Sequence, residues 1–290
     1  MRYFVLILIS SINLYSQEIV EKDSLWTTRG NVAVLLNQTG FSDWVGGGTN
    51  NFSGTLKFDY EWEFKDKGWD WLTNVESAFG LAKYKNAPFA RKIDDRILIQ
   101  SIVGKEFTKN LSFSAFFNFT SQIGNGFKYK KDSENNEIRE LTTRIFSPAY
   151  FQLGSGFLWK KDERLWVNYS PLATRLILVS KKFTSSLPEN ETYFGVTQNK
   201  SSRYELGSNL TFHSEGTLFE NVNYKQDLKL FSNYLENPSN IDLDYLAQIE
   251  IDVNPLLSTQ LIFQLIYDDN AITRLQIREV FGVGVQLKLN

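Results

Sequence analysis

Apolar and polar residues alternate with a period of two along much of this chain, the repeat of a β-strand with two different faces. From Phe52 to Phe64, the even-numbered positions carry apolar residues or glycine, and the odd-numbered positions are polar or charged. The segments 242–253 and 275–289 divide in the same way with few exceptions, among them Glu279 on the apolar face. A helix would scatter both sets around its circumference, so the pattern predicts strands.

Strand and turn signals together predict about twelve such segments. They lie near residues 30–38, 51–65, 69–84, 94–107, 111–123, 148–160, 164–179, 201–213, 222–235, 241–253, 257–267 and 274–289. Several exceed the roughly 9–11 residues that a tilted strand needs to cross a bilayer. We therefore predict an all-β fold, a transmembrane antiparallel β-barrel of about twelve strands, in preference to a secreted β-sandwich.

The connections between these segments alternate in character. Every other one is compact and polar, and the one near Ser214–Gly216 is the longest of that set. The intervening connections include the long stretches 38–50, 124–147 and 181–200, which we expect to be irregular loops. Short turns at one end and longer loops at the other are typical of outer-membrane barrels, and an even strand number puts both termini at the periplasmic end.

Tryptophan placement agrees with a membrane barrel, because amphipathic rings concentrate at the membrane–water interface. Five of the seven tryptophans flank compact turns, whereas Trp26 and Trp44 lie elsewhere. The predicted aromatic girdle consists of Trp62, Trp69, Trp71, Trp159 and Trp166.

The N-terminus has the features of a secretory signal peptide: one positive charge, the apolar run Tyr3–Ile9 and a small residue at Ser16. The run is too short for a membrane-spanning helix, which needs roughly 20 apolar residues. We predict a signal peptide over residues 1–16, a periplasmic N-terminal segment over 17–29 and the barrel over 30–290.

Short motifs along nearly the whole mature chain resemble those of one bacterial family, beginning with a W-x-x-GG-x-N signature at Trp44. They are Phe41–Asn50, Arg91–Asp95, Ser170–Leu172, Leu230–Tyr234, Asn237–Pro238, Ile241–Asp242, Gln264–Asp269 and Arg278–Gly284. The family is the uncharacterised "domain of unknown function 3078". The resemblance implies a barrel in the outer membrane of a Gram-negative bacterium, with membrane lipid, lipopolysaccharide and the barrel-assembly machinery as partners, and it implies no activity. Such barrels tend to end on an aromatic residue, whereas this chain ends Leu289–Asn290.

Composition excludes several kinds of chemistry. The formal net charge of −2 gives no electrostatic reason to expect nucleic acid as a partner. The chain has no cysteine and one histidine, so thiolate and multi-histidine metal centres are excluded. We expect no cofactor and leave open whether a metal binds.

The candidate functional residues are charged residues on the inward faces of the strands and at the outer mouth of the barrel. Facing ion pairs would hold the wall together and could occlude the lumen, whereas a surplus of carboxylates would favour a cation path. The singled-out residues are Asp242, Asp244, Asp268, Asp269 and Arg278. The mouth carboxylates could bind Ca²⁺ or act as an acid/base pair, with Asp94–Asp95 as further members. The alternative is ordinary solvation at strand ends, or a salt bridge from these aspartates to Arg278.

Two other sequence features give weaker indications of function. His213 beside Ser214 permits a Ser–His–acid hypothesis, but adjacency in sequence does not supply the geometry of a triad. The glycine run Gly46–Gly48 lacks the Lys and Ser/Thr of a phosphate loop and predicts a tight turn.

Three hypotheses about function follow. The first is a non-enzymatic outer-membrane barrel that passes a small solute or supports the envelope. The second is an outer-membrane hydrolase with carboxylates at the mouth. The third is a surface protein that binds a ligand through the loops 124–147 and 181–200.

Overall fold

The computed structural model describes residues 25–39 and 49–289, so the predicted signal peptide and the glycine run lie outside the described residues. Strands account for almost all of the regular structure. In chain order the elements are β1 (Trp26–Thr39), β2 (Asn51–Asp66), β3 (Trp69–Tyr84), β4 (Arg91–Thr108), β5 (Leu111–Ser121), β6 (Gly126–Lys131), β7 (Glu137–Thr143), β8 (Ala149–Asp162), β9 (Leu165–Leu178), α1 (Lys181–Thr184), β10 (Thr192–Tyr193), β11 (Val196–Thr197), β12 (Ser202–Phe219), β13 (Val222–Asn233), β14 (Ile241–Asp252), β15 (Leu257–Asp268) and β16 (Ile272–Leu289).

Twelve of these strands close into one antiparallel barrel, which confirms the predicted fold class. The order around the barrel is β1-β16-β15-β14-β13-β12-β9-β8-β5-β4-β3-β2. The first and last strands meet at a seam that runs from the pair Gly30–Leu289 to the pair Leu36–Val283. Closure satisfies backbone groups that would otherwise be left unpaired in a hydrocarbon environment.

The barrel wall is apolar outside and polar inside, the reverse of a water-soluble protein. Large apolar side chains are exposed on the outside, among them Leu36, Leu56, Phe113, Leu153, Leu172, Leu261 and Phe281. Polar side chains are buried on the inside, among them Thr55, Asn118, Asn168, Gln260 and Gln286. An apolar exterior around a polar interior is the arrangement of an outer-membrane barrel. Within the described residues, no helix has the length and apolar character needed to cross a bilayer.

The short turns share one end of the barrel with the start of β1 and the end of β16, as the alternating connections predict. One turn lies elsewhere than predicted: β12 continues through Ser214–Gly216 and turns only at Glu220–Asn221. The polar residues in that stretch are paired with neighbours, since Ser214 shares a hydrogen bond of 3.1 Å with Tyr224. The barrel wall also begins earlier than residue 30, because β1 starts at Trp26.

The long loops at the other end are more ordered than their composition suggests. The expected irregular stretch 124–147 contains the hairpin β6–β7, whose strands pair from Gly126–Thr143 to Lys131–Glu137. The stretch 181–200 contains α1 and the small hairpin β10–β11. The expectation of irregular loops was therefore wrong for these segments.

Four of the five predicted girdle tryptophans lie on the outer surface or close to it near the compact turns. Trp69, Trp71 and Trp159 are more than 40% exposed, and Trp62 packs against Tyr60 with ring centroids 4.5 Å apart. The ring of Trp26, which the sequence analysis set apart, lies 5.7 Å from that of Trp71 and therefore joins this band.

Trp166 is the exception, and its assignment to the girdle has to be corrected. It is 8% exposed and its ring stacks on that of His213 inside the barrel, with centroids 5.1 Å apart. Nearness to a turn predicts the height of a residue along the barrel but leaves open which face it occupies. Trp166 shares its face with buried Asn168, two residues on, and so points inward.

Candidate functional site

A layer of charged side chains bridges the lumen near its middle. Glu76 of β3 accepts a 2.8 Å hydrogen bond from Lys225 of β13. These two strands lie six positions apart in a ring of twelve and therefore on opposite walls. Arg96 of β4 donates to the second oxygen of Glu76 at 2.9 Å. Lys57 of β2 reaches Gln260 of β15 at 2.9 Å. We call Lys57, Glu76, Arg96 and Lys225 the septum.

The alternation of the strands explains why these groups meet. Each lies on the inward face of its strand, where opposite charges attract strongly because they are shielded less than in bulk water. Lys225 also approaches Asp59 at 3.8 Å, so the septum together with Asp59 holds three cations and two carboxylates. Each of these charges has a partner on another strand, and Glu76 also accepts a 2.9 Å hydrogen bond from Asn74 of its own strand.

Open space borders the septum on both sides. On the periplasmic side lies a cavity of about 490 Å³, the periplasmic vestibule, whose lining includes Arg29, Lys57 and Glu250. On the outer side lies a cavity of about 360 Å³, the outer cavity, whose lining includes Thr55 and Asp94. Thr55 and Lys57 are two residues apart on β2, so one layer of side chains separates the two cavities.

A smaller cavity of about 40 Å³ lies beside the septum, with Phe116, Trp166 and His213 in its lining. This volume holds three or four waters at roughly 10–15 Å³ each. Its lining includes two buried polar atoms without a hydrogen-bond partner, Nε1 of Trp166 and Oδ1 of Asn74. Both atoms are suited to bind such waters.

A second charged cluster lies toward the outer mouth. Arg175 of β9 donates to Glu205 of β12 at 2.5 Å and also to Asp242 of β14. The Arg175 guanidinium lies 4.3 Å from the ring centroid of Phe231. Glu205 is completely buried and accepts a second 2.8 Å bond from Arg203. We call Arg175, Arg203, Glu205 and Asp242 the mouth cluster.

The structure brings together three of the five residues singled out at the mouth. Carboxylate oxygens of Asp242, Asp268 and Asp269 lie within 4.8 Å of one another. Such a trio offers the oxygen ligands that Ca²⁺ prefers, but Arg175 already supplies a positive charge to Asp242. Asp244 lies deeper, where it accepts a 2.9 Å hydrogen bond from Gln264.

Arg278 does not join these aspartates, so the expected salt bridge was wrong. Arg278 pairs in register with Gln264, well below Asp268, whose partner on β16 is Ile272. Its guanidinium instead crosses the lumen to Asp94 of β4 at 2.6 Å.

Asp94 and Asp95 also lie apart from the mouth aspartates. Asp94 is bound to Arg278 at 2.6 Å. Asp95 accepts hydrogen bonds from Lys92 and from the backbone of Ile123 and Gly124. Both carboxylates therefore have partners within the wall and the neighbouring loop.

The connection between β9 and β12, residues 179–201, folds over the outer mouth, and we call it the cap. Val196 is fully buried in it, in one apolar cluster with Ile177 of the barrel wall. The Tyr193 hydroxyl donates to the backbone oxygen of Thr142, and burial raises the pKa of Tyr193. Gly195, with a φ of 74°, presents its carbonyl to Arg203 at 3.2 Å. The cap is thus tied to the mouth cluster.

His213 lies on the inward face of β12 and shares a 2.8 Å hydrogen bond with Asp227. Ser214, its neighbour in sequence, lies on the other face of the strand and bonds to Tyr224. Adjacent residues of a strand point to opposite sides, so Ser214 and His213 do not form a nucleophile–base pair. The contacts of His213 are those of a lumen residue that is hydrogen-bonded to an acidic side chain of the neighbouring strand.

Arg175 and Arg96 are central to the two charged clusters, yet neither was among the candidates from sequence. For Arg175 there was a usable signal, namely Pro171 within the same strand. The pairing of β9 with β12 shifts between Ser170 and Ala173, so the inward face changes from even to odd positions. A proline inside a strand marks such a bulge.

Comparison with known proteins supports the family resemblance. The family model described as "Protein of unknown function (DUF3078)" matches residues 36–127. The translocator domain of autotransporter NalP from Neisseria meningitidis is 10% identical in sequence, with a TM-score of 0.43. The alignment covers 89% of this chain and 87% of that domain's chain. No curated protein matches the sequence.

Two further solved barrels are comparably distant. The β domain of the Bordetella autotransporter BrkA is 8% identical, with a TM-score of 0.37. The alignment covers 91% of this chain and 99% of the BrkA chain. The Pseudomonas putida toluene transporter TodX is 9% identical, with a TM-score of 0.34. That alignment covers 91% of this chain and 87% of the TodX chain. These likenesses concern architecture alone. The chain is an outer-membrane type of β-barrel that resembles, over residues 36–127, a family of unknown function.

Proposed function

We propose that this protein is a non-enzymatic channel in the outer membrane of a Gram-negative bacterium, with a lumen that the septum and the cap close at rest. The observation that carries the proposal is the direct bond between Glu76 and Lys225 on opposite walls, with open cavities on either side. The solute is small and polar. The three carboxylates of Asp242, Asp268 and Asp269 favour a cation at the outer mouth.

A barrel that served only as a rigid envelope element would gain more from a filled interior than from charges beside empty space. Removing one partner of a buried ion pair costs about 3–5 kcal/mol, so Glu76 and Lys225 stabilise each other across the lumen. An entering ion or polar solute can replace that partner. The septum therefore has the properties of a gate that a charged solute can open.

The test is single-channel conductance of the refolded protein in planar bilayers. We expect the wild-type protein to open rarely, and Lys225→Met to open severalfold more often, because Glu76 then loses its bond to the far wall. Glu76→Gln is the second septum variant. Lys130→Met is the matched control, since Lys130 pairs with Glu140 on the exposed β6–β7 hairpin. Heat-modifiable gel mobility establishes that each variant is folded.

Opening that increases in both septum variants and not in the control supports the channel. A folded wild-type barrel that stays silent, together with silent septum variants, would overturn it. The reversal potential in a salt gradient then reports selectivity. We expect a preference for cations that Asp268→Asn weakens.

One observation favours a second candidate, a surface protein that binds a ligand through its loops. The hairpin β6–β7 is rigidly built, since Arg139 stacks on Phe127 at 4.4 Å and Arg91 on Tyr129 at 3.4 Å. Deleting residues 128–140 would remove ligand or cell attachment under this alternative. Under the channel proposal, the same deletion leaves the septum and its conductance in place.

A further inference from the structure

The charged side chains that line the periplasmic vestibule are almost all paired with one another or with their neighbours. The lining includes five cationic and five carboxylate side chains, so it carries no formal net charge. Eight of the ten form ion pairs, for example Arg29 with Glu61 at 2.7 Å. In the described part of the chain, Lys57 and Glu250 are the two that form none. The vestibule therefore presents one cation and one carboxylate without a charged partner.

Both of these residues retain hydrogen-bonding capacity. Nζ of Lys57 donates to Oε1 of Gln260 at 2.9 Å and to Oε1 of Gln248 at 3.3 Å. An ammonium group has three donors, so one remains. Glu250 accepts one bond of 3.1 Å, from Nε2 of the same Gln260. A carboxylate can accept about four hydrogen bonds, so Glu250 can bind further donors.

Gln260 fixes the separation of the two charges. It is 5% exposed, and its amide binds Lys57 through the oxygen and Glu250 through the nitrogen. The oxygen and the nitrogen of one amide lie roughly 2.2 Å apart. Nζ of Lys57 and the bound oxygen of Glu250 are therefore at most about 8 Å apart. A ligand that bridges them has to be short.

The space beside these two groups is large enough for a small ligand and open to solvent. The vestibule has a volume of about 490 Å³, within the roughly 300–1,000 Å³ of small-molecule sites. The septum closes it on the outer side. Arg29 and Lys288 line it toward the periplasmic end, and their side chains are 53% and 57% exposed. A solute can therefore enter from the periplasm while the septum is closed.

We propose that the vestibule binds a small zwitterion, an α-amino acid whose carboxylate lies on Lys57 and whose ammonium group lies on Glu250. A charge-assisted hydrogen bond of about 2.8 Å at each end leaves roughly 2–3 Å between the charged groups of the ligand. An α-amino acid meets this spacing, because both of its charged groups are attached to one carbon. A ligand with a single charge leaves one of the two residues without a charged partner.

The first experiment compares ligands on the wild-type protein in non-ionic detergent micelles, since a zwitterionic headgroup would compete. The probes are L-alanine, the anionic N-acetyl-L-alanine and the cationic L-alaninamide, and a saturation-transfer difference NMR titration gives each dissociation constant. We expect L-alanine to bind at least about tenfold more tightly than either analogue, because each analogue loses one charge-assisted hydrogen bond. The compound 4-(aminomethyl)benzoic acid, whose ring holds its charges further apart, should bind as weakly as the analogues.

The second experiment separates the two ends of the site. Lys57→Met should weaken the binding of L-alanine by about tenfold or more and leave that of L-alaninamide almost unchanged. Glu250→Gln should weaken the binding of L-alanine similarly and leave that of N-acetyl-L-alanine almost unchanged. Lys130→Met and Glu140→Gln make the same changes on the exposed β6–β7 hairpin and are the matched controls. Heat-modifiable gel mobility establishes that each variant is folded.

Equal affinity of the wild-type protein for L-alanine and its two analogues would overturn the proposal, because the two charges would then not act together. Absence of saturable L-alanine binding to the folded protein would also overturn it. An unchanged affinity in both vestibule variants, or a loss of binding in the hairpin controls, would place the site elsewhere and overturn it as well. None of these measurements requires conductance. A silent barrel that binds L-alanine as expected would therefore refute the channel and leave this site standing.

Discussion

Arg175→Met is the sharpest test of how the mouth cluster holds the barrel together. Arg175 is 5% exposed and bonds to Glu205 and Asp242, while its guanidinium lies over the ring of Phe231. Methionine keeps much of the apolar volume but removes the charge. The substitution leaves Glu205 fully buried with only Arg203 as a cationic partner, and leaves Asp242 beside other carboxylates.

The magnitude follows from these contacts. Breaking a buried ion pair by removing one partner costs about 3–5 kcal/mol. Loss of the cation–π contact adds about 1 kcal/mol, and the bond from Arg203 to Glu205 offsets part of the total. We expect the free energy of unfolding to fall by about 3 kcal/mol, which is roughly a hundredfold in the equilibrium constant.

The assay is reversible urea unfolding of the protein in lipid vesicles, followed by tryptophan fluorescence. The double variant Arg175→Met/Glu205→Gln should recover at least half of the loss, because the unpaired buried charge is then gone. Arg164→Met changes an exposed arginine in the β8–β9 turn and should stay within about 0.5 kcal/mol of the wild-type protein.

A loss below about 1 kcal/mol for Arg175→Met would refute the reasoning, because this is the range of exposed ion pairs. It would mean that water reaches the mouth cluster freely. A double variant that is less stable than the single one would show instead that Glu205 is stabilised by groups other than Arg175.

Three further predictions concern the wall, the girdle and the cap. Gly207→Ala should abolish the heat-modifiable folded band, because its Cβ would lie 1.8 Å from a backbone oxygen of β13, whereas Gly54→Ala should fold, since its nearest contact is 3.4 Å. Brominated lipid should quench the fluorescence of Trp159 as a single remaining tryptophan but leave Trp166 largely unquenched, and equal quenching would contradict the inward position of Trp166. Val196→Asp should destabilise the cap and raise protease cleavage within residues 179–201, and unchanged cleavage would show that Val196 does not hold it.

The strands could be predicted from sequence because the two faces of each strand contact different surroundings. Each predicted segment corresponds to a barrel strand, since lipid outside and polar groups inside impose the same alternation throughout. The alternation fails where a bulge changes its phase, as at Pro171, and this hid Arg175. It also leaves open which face a residue beside a turn occupies, as Trp166 shows.

The contacts across the lumen could not be predicted from sequence. Glu76 and Lys225 are 149 residues apart, and they meet only because the strand order places β3 opposite β13. Arg278 meets Asp94 for the same kind of reason, although the mouth aspartates are closer in sequence. The stagger between neighbouring strands sets these pairings. The hydrophobic pattern of a single strand does not reveal that stagger.

Arg203 links two parts of the protein that could otherwise move separately. It holds the carbonyl of Gly195 in the cap and the carboxylate of Glu205 in the wall. Lifting the cap therefore takes the Gly195 carbonyl away from Arg203, while the guanidinium stays with Glu205 on the same strand. A solute oxygen that replaced this carbonyl would lower the energy of the open state, and its departure would favour reclosure.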